Sequence, residues 1–225
     1  MRKILMLSIL CLGLLFPQYS KAGETGIYIA PKFLMSIQDS GTMSRPGALA
    51  GVGIDDYSQF TLGGALAVGY DFWVQQMIPI RLEVEFALRA NSEKTWDDHG
   101  VYFDNVKGVW NNSTLFANIF WDLHNDSAFT PYIGGGIGMA FNYTGYTIAD
   151  NAGNKYSLDD RQVNFAWNAG AGIAYEVNDN FAVDLSYRFV GLGYNEVKTH
   201  FNGRDYKISN NPYNNEFMVG LRFTF

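Results

Sequence analysis

Two-residue alternation constrains this chain more than any other feature. Near its end, Phe217, Val219, Leu221, Phe223 and Phe225 fall on one parity, and Met218, Gly220, Arg222 and Thr224 fall on the other. Successive side chains of a strand point to opposite faces, so this stretch has one wholly apolar face and one that carries a charge. The rhythm is cleanest where Ile80, Leu82, Val84, Phe86 and Leu88 alternate with Arg81, Glu83, Glu85, Ala87 and Arg89. A final strand with a complete apolar row suits a barrel that closes its last strand against its first and turns that row to lipid.

Further strands are expected at 26–36, 60–70, 114–123, 129–142, 163–175 and 181–189, which with the two above makes eight. Residues 37–57, 90–112, 143–161 and 193–215 are rich in Gly, Asn, Asp and Ser and are expected to be loops. The connections at 72–77, 124–128 and 178–180 are short. Alternating long and short connections are the asymmetry of an outer-membrane barrel, with short periplasmic turns and long external loops. The expected fold is therefore all-β: an eight-stranded antiparallel up-and-down transmembrane β-barrel with four external loops.

Alternation alone does not say which face is inside. A soluble barrel buries its apolar row, and a membrane barrel inverts this. Gly63, Ala65, Gly134, Gly136, Gly138, Gly170 and Gly172 lie on the non-apolar parity. Glycine weakens a strand exposed to water but makes room inside a narrow barrel. The long side chains of Arg81, Glu83, Glu85, Arg89, Arg188 and Arg222 are expected to fill that room. Aromatics also gather at both strand ends, Tyr70, Trp121, Phe129, Tyr132 and Tyr175 at one and Tyr57, Phe60, Trp110, Phe141 and Tyr143 at the other, as two interfacial girdles.

Arg2 and Lys3 precede an apolar run, Ile4 to Phe16, too short to span a bilayer as a helix, and Ser20-Lys21-Ala22 offers small residues for cleavage. Residues 1–22 are expected to be a cleaved signal peptide, leaving 23–225 as one outer-membrane barrel domain. Cys11 is the single cysteine and lies in that segment. Cleavage would remove Arg2, Lys3 and Lys21 from the 16 basic residues and leave the 22 acidic ones, a formal charge of −9. Such a balance argues against a nucleic-acid partner, whose phosphates need a basic face.

Thr130-Pro131-Tyr132-Ile133-Gly134-Gly135-Gly136-Ile137-Gly138, Leu185-Ser186-Tyr187-Arg188-Phe189 and the closing Gly220-Leu221-Arg222-Phe223-Thr224-Phe225 resemble the opacity-protein and surface-antigen family of eight-stranded outer-membrane barrels. The resemblance implies a barrel and a surface role, as adhesin, antigen or small porin-like protein, without a specific ligand. The expected function is surface interaction through the external loops, with a host or extracellular ligand. The alternatives are a narrow porin-like channel for small solutes and a structural outer-membrane protein. Expected partners are outer-membrane lipid and the barrel-assembly machinery, engaged through Leu221, Phe223 and Phe225. The chain is expected to be a monomer with no cofactor.

Lys32, Arg81, Glu83, Glu85, Arg89, Asp184, Arg188 and Arg222 are expected to form an interior charge network, joined by Asp71, Asp122, Glu176 and Glu216. An eight-stranded interior is only wide enough for side chains, which favours a salt-bridged plug over an ion path. Trp96, Tyr102 and Trp110 either form a recognition surface or fold down into the upper girdle. Catalysis would need a histidine set to activate a serine or water. His99, His124 and His200 lie in connections, and the spacing of His200, Asp205 and Ser209 fixes no triad, so no enzyme is expected. Glu93, Asp97, Asp98, His99 and Asp104 match no cation-loop spacing.

Overall fold

The structure, a computed structural model, describes residues 25–41, 44, 56–97, 103–150, 155–201 and 204–225. The expected signal peptide, Tyr102 and His99 lie outside them. Among the described residues eleven strands form: β1 (Ile27–Asp39), β2 (Ser58–Asp71), β3 (Ile80–Arg89), β4 (Ser92–Asp97), β5 (Phe103–Asp122), β6 (Phe129–Asp150), β7 (Lys155–Asn178), β8 (Phe181–Gly191), β9 (Asn195–Phe201), β10 (Arg204–Asn210) and β11 (Tyr213–Thr224). A one-turn helix, α1 (Trp73–Gln76), lies in the connection from β2 to β3.

Eight strands close the barrel in the order β1, β2, β3, β5, β6, β7, β8, β11, with β11 antiparallel to β1 and β3 to β5. The closure pairs Phe33 with Val219 and Ile29 with Phe223. Full closure leaves no edge to face lipid, which is what a membrane-spanning sheet requires. β4 continues the direction of β3 but pairs with β5 one residue out of step, Ser92 opposite Trp110 after Leu88 opposite Ser113.

The apolar row faces outward and the charged row inward. Val84 is 57 % exposed, and Glu85 beside it is fully buried. On β6 the outward apolar band runs from Phe129 to Phe141, roughly 40 Å of strand or about 28 Å along the bilayer normal at a 45° tilt. That matches the hydrocarbon thickness. Cross-strand aromatic pairs border the band, Phe129–Tyr175 at 4.9 Å and Phe181–Phe223 at 5.0 Å on the turn side, Phe189–Tyr213 at 5.2 Å on the loop side.

Two expectations need correction. The stretches 90–112, 143–161 and 193–215 are not plain loops. β5, β6 and β7 run on past the membrane, with β4 paired to β5, and β9 and β10 form a separate hairpin. Their polar outer faces stand in water, where a strand needs no apolar row. Tyr57, Trp110 and Tyr132 are not girdle residues. Each sits on the inward parity and is buried.

Candidate functional site

The barrel interior is stacked in layers. Lowest, towards the periplasmic turns, Arg81 donates through Nε and Nη2 to both oxygens of Asp122, at 2.6 and 2.9 Å. Inward rings enclose that guanidinium: Tyr132 at 4.8 Å, Phe120 at 5.0 Å and Tyr28 at 6.0 Å. Glycines make room for the rings. A Cβ on Gly172 would stand 2.5 Å from Cζ of Tyr132, and one on Gly69 would fall on the Tyr28 ring. Rings as well as the expected long charged side chains therefore fill the glycine-lined space. Arg222 and Asp184 approach to 4.0 Å in the same region.

Above this layer a continuous chain of charges crosses the barrel. Lys32 Nζ reaches Glu83 at 2.6 Å and Glu85 at 2.7 Å. Arg188 bridges Glu85 at 2.6 Å and Glu216 at 2.8 Å. Arg89 pairs with the other oxygen of Glu216. Three cations thus meet three anions, so the charges cancel without a mobile counter-ion. A cavity of about 30 Å³ beside Lys32, Asn168 and Arg188 has room for about one water molecule.

Amides form the next layer. Asn112 donates to Gln38 at 3.0 Å, and Asn214 donates to Asn112 at 3.1 Å. Across the barrel, Asn142 and Asn164 both donate to Asn195 Oδ1, at 3.0 and 2.6 Å. Aromatic rings close the top. Tyr57 stacks on Trp110 at 3.9 Å, and Trp96 and Tyr146 meet Trp110 edge-on at 5.7 and 5.8 Å. Trp96 and Trp110 are only 7 % and 3 % exposed, so neither is a surface recognition ring or a lipid-facing girdle residue. Both continue an inward parity, Trp110 with Asn112 and Thr114, Trp96 with Ser92. That parity was the signal for them, and also for Tyr28, Phe120 and Tyr132. Burial pushes the Tyr146 hydroxyl up to about 12 and raises that of Tyr57 as well.

All eight interior candidates face the lumen. Leu221, Phe223 and Phe225 lie on the outer row at the periplasmic rim. His124 stacks on Trp73 at 3.9 Å under the periplasmic mouth. On the β9–β10 hairpin His200 is in register with Asp205, whereas Ser209 is opposite Glu196, four residues and roughly 13 Å away. Glu93 binds Lys107 at 2.7 Å.

The relatives agree with this geometry. The family model described as an outer membrane protein beta-barrel domain matches residues 7–225. Outer membrane protein PagN of Salmonella typhimurium is 31 % identical over 219 residues, which span 91 % of this chain and 92 % of PagN. Among solved structures, Neisserial surface protein A superposes with a TM-score of 0.54 at 17 % identity, covering 89 % of this chain and 98 % of that one. OprG of Pseudomonas aeruginosa does so with a TM-score of 0.53 at 16 % identity, covering 90 % and 97 %. At such identities the two structures speak to the fold alone. The closed, lipid-facing barrel and the match over almost the whole chain establish one conclusion: this protein belongs to the outer-membrane β-barrel domain family.

Proposed function

We propose that this outer-membrane protein acts at the cell surface, as an adhesin or antigen-like contact protein, through the structures above its barrel. One observation carries the reading. Above a periplasmic recess of about 260 Å³ beside Asp71 and Arg222 the lumen is filled up to the rim, while β5, β6 and β7 continue outward and the β9–β10 hairpin stands beside them. Nine residues of β6 beyond Phe141 amount to roughly 30 Å of paired strand outside the apolar band. A chain that only sealed or stiffened the membrane would have no use for that extension. The interior serves as a plug, and no catalytic role is assigned, since the hairpin register separates Ser209 from His200.

The test is adhesion of a non-adherent host bacterium that displays the protein, scored on cultured epithelial monolayers. Replacing residues 196–209 by a short Asn-Gly turn should bring attachment to background, with the barrel still heat-modifiable on gels. Equal attachment with and without the hairpin and the β6–β7 arm would overturn the reading.

Three further proposals complete it. Residues 1–22 are the export signal, checked by the N-terminal sequence of protein taken from the outer membrane. Leu221, Phe223 and Phe225 engage the assembly machinery before β11 closes on β1, so Phe225→Ala should slow insertion. The chain works as a monomer, checked by mass in detergent.

A further inference from the structure

The outer wall carries a polar notch where the lipid-facing band ends. The last outward row with apolar side chains holds Phe141 and Val163, with Ser113 in direct register beside Phe141. The row above it is Asn111, Tyr143 and Arg161, also in register. These residues and Asn91 line a groove of about 550 Å³. The Arg161 guanidinium lies 5.6 Å from the centre of the Tyr143 ring and pairs with no carboxylate among the described residues. Asn111 donates to Asn91 Oδ1 at 3.0 Å and to Arg89 O at 2.8 Å, which leaves the Asn91 amide and the Asn111 carbonyl open to the groove.

The height of the notch selects its occupant. It begins one outward position above Phe141, the top of a band about 28 Å thick, and so lies at the head-group level of the outer leaflet. A cation there meets lipid phosphate. An aromatic face with neighbouring amides is the chemistry that receives a sugar ring. Nearby acids are occupied: the Asp160 carboxylate accepts from Arg161 N and Gln162 Nε2, both at 2.8 Å, and Glu93 is held by Lys107. Asp159 stands one outward position higher. On the opposite wall the first polar outward positions are Asn215 and Asp39, which offer no cation.

We propose that this groove binds a phosphorylated glycolipid of the outer leaflet, its phosphate on Arg161 and its sugar against Tyr143 and the Asn91–Asn111 pair. Charge-assisted hydrogen bonds from a guanidinium to phosphate supply the selectivity, and the β5–β7 wall becomes the side from which lipid is held.

Protein purified from outer membranes and placed in phosphatidylcholine nanodiscs tests this by native mass spectrometry. The probes are lipid A (a diphosphorylated glucosamine disaccharide with acyl chains), its dephosphorylated form, phosphatidylglycerol and inorganic phosphate. The protein should retain lipid A in preference to phosphatidylglycerol. Arg161→Gln should weaken that retention about tenfold, to the level of the dephosphorylated lipid. Tyr143→Leu, which leaves the cation in place, should weaken both forms of lipid A alike. Unchanged retention by Arg161→Gln would overturn the proposal. So would equal competition by phosphatidylglycerol, which would mean a merely anionic-lipid surface, or displacement by millimolar phosphate, which would mean a free-phosphate site.

Discussion

Glu85 holds two cations at once, Lys32 at 2.7 Å and Arg188 at 2.6 Å, in a fully buried position. Glu85→Ala should therefore destabilise the barrel by about 3 kcal/mol, read from urea unfolding in lipid vesicles, because it strands charge rather than removing a pair. The Arg81–Asp122 pair makes the complementary case. Arg81→Met and Asp122→Leu should each cost stability, but the double variant should lose much less than their sum. Tyr146 lies above the membrane and titrates near 12 instead of the ordinary 10. A raised folded value means the folded state keeps its proton longer. Its stabilising contribution is complete below pH 10 and is lost as the pH rises through 12. Absorbance at 295 nm should show this late component in the native protein and lose it on unfolding. At this scale the sequence told much of the story. Parity sent Arg81, Glu83 and Glu85 inward, but it could not say that Glu216 ties Arg89 to Arg188, since those partners come from three strands far apart in the chain.

Strands were legible where one face had to meet lipid. The Ile80–Leu88 row is unambiguous, and β3 has the expected bounds. Beyond the membrane that contrast disappears. β6 from Tyr143 to Asp150 and β7 from Lys155 to Gln162 carry polar residues on both parities and turn-forming Gly and Asp, so their pairing left no alternation to find. Hydrogen exchange separates paired arms from loops. Backbone amides of Thr144–Thr147 and Ser157–Asp160 that face their partner strand should exchange at least tenfold more slowly than those of the Asn125–Ala128 turn. Exchange at the rate of that turn would contradict the paired arms. Gly172 belongs to this scale too, because it fits β7 against a ring of β6. Gly172→Val should cost about 2 kcal/mol or more in urea unfolding, and adding Tyr132→Ser should restore part of it.

For the whole molecule, closure and filling act together. Eight strands remove every edge from lipid, and a barrel of that size encloses space that its own side chains can occupy. Here they do so in sequence: rings about Arg81, the balanced charges, the amides, then the Tyr57–Trp110 cap. The fold class was available from two-residue periodicity and the alternation of long and short connections, and the outward apolar band from the glycines that share a parity with the charges. The cap was not, because Trp110 and Tyr57 sit in stretches whose composition reads as loop. The sealed lumen is the central claim, and single-channel recording in planar bilayers tests it most directly. The purified barrel should be silent over a range of voltages, with Glu85→Ala admitting at most brief openings. Steady, reproducible conductance steps from the unaltered protein, changed in size by Arg81→Ala or Glu83→Ala, would contradict the plug and make this barrel a channel.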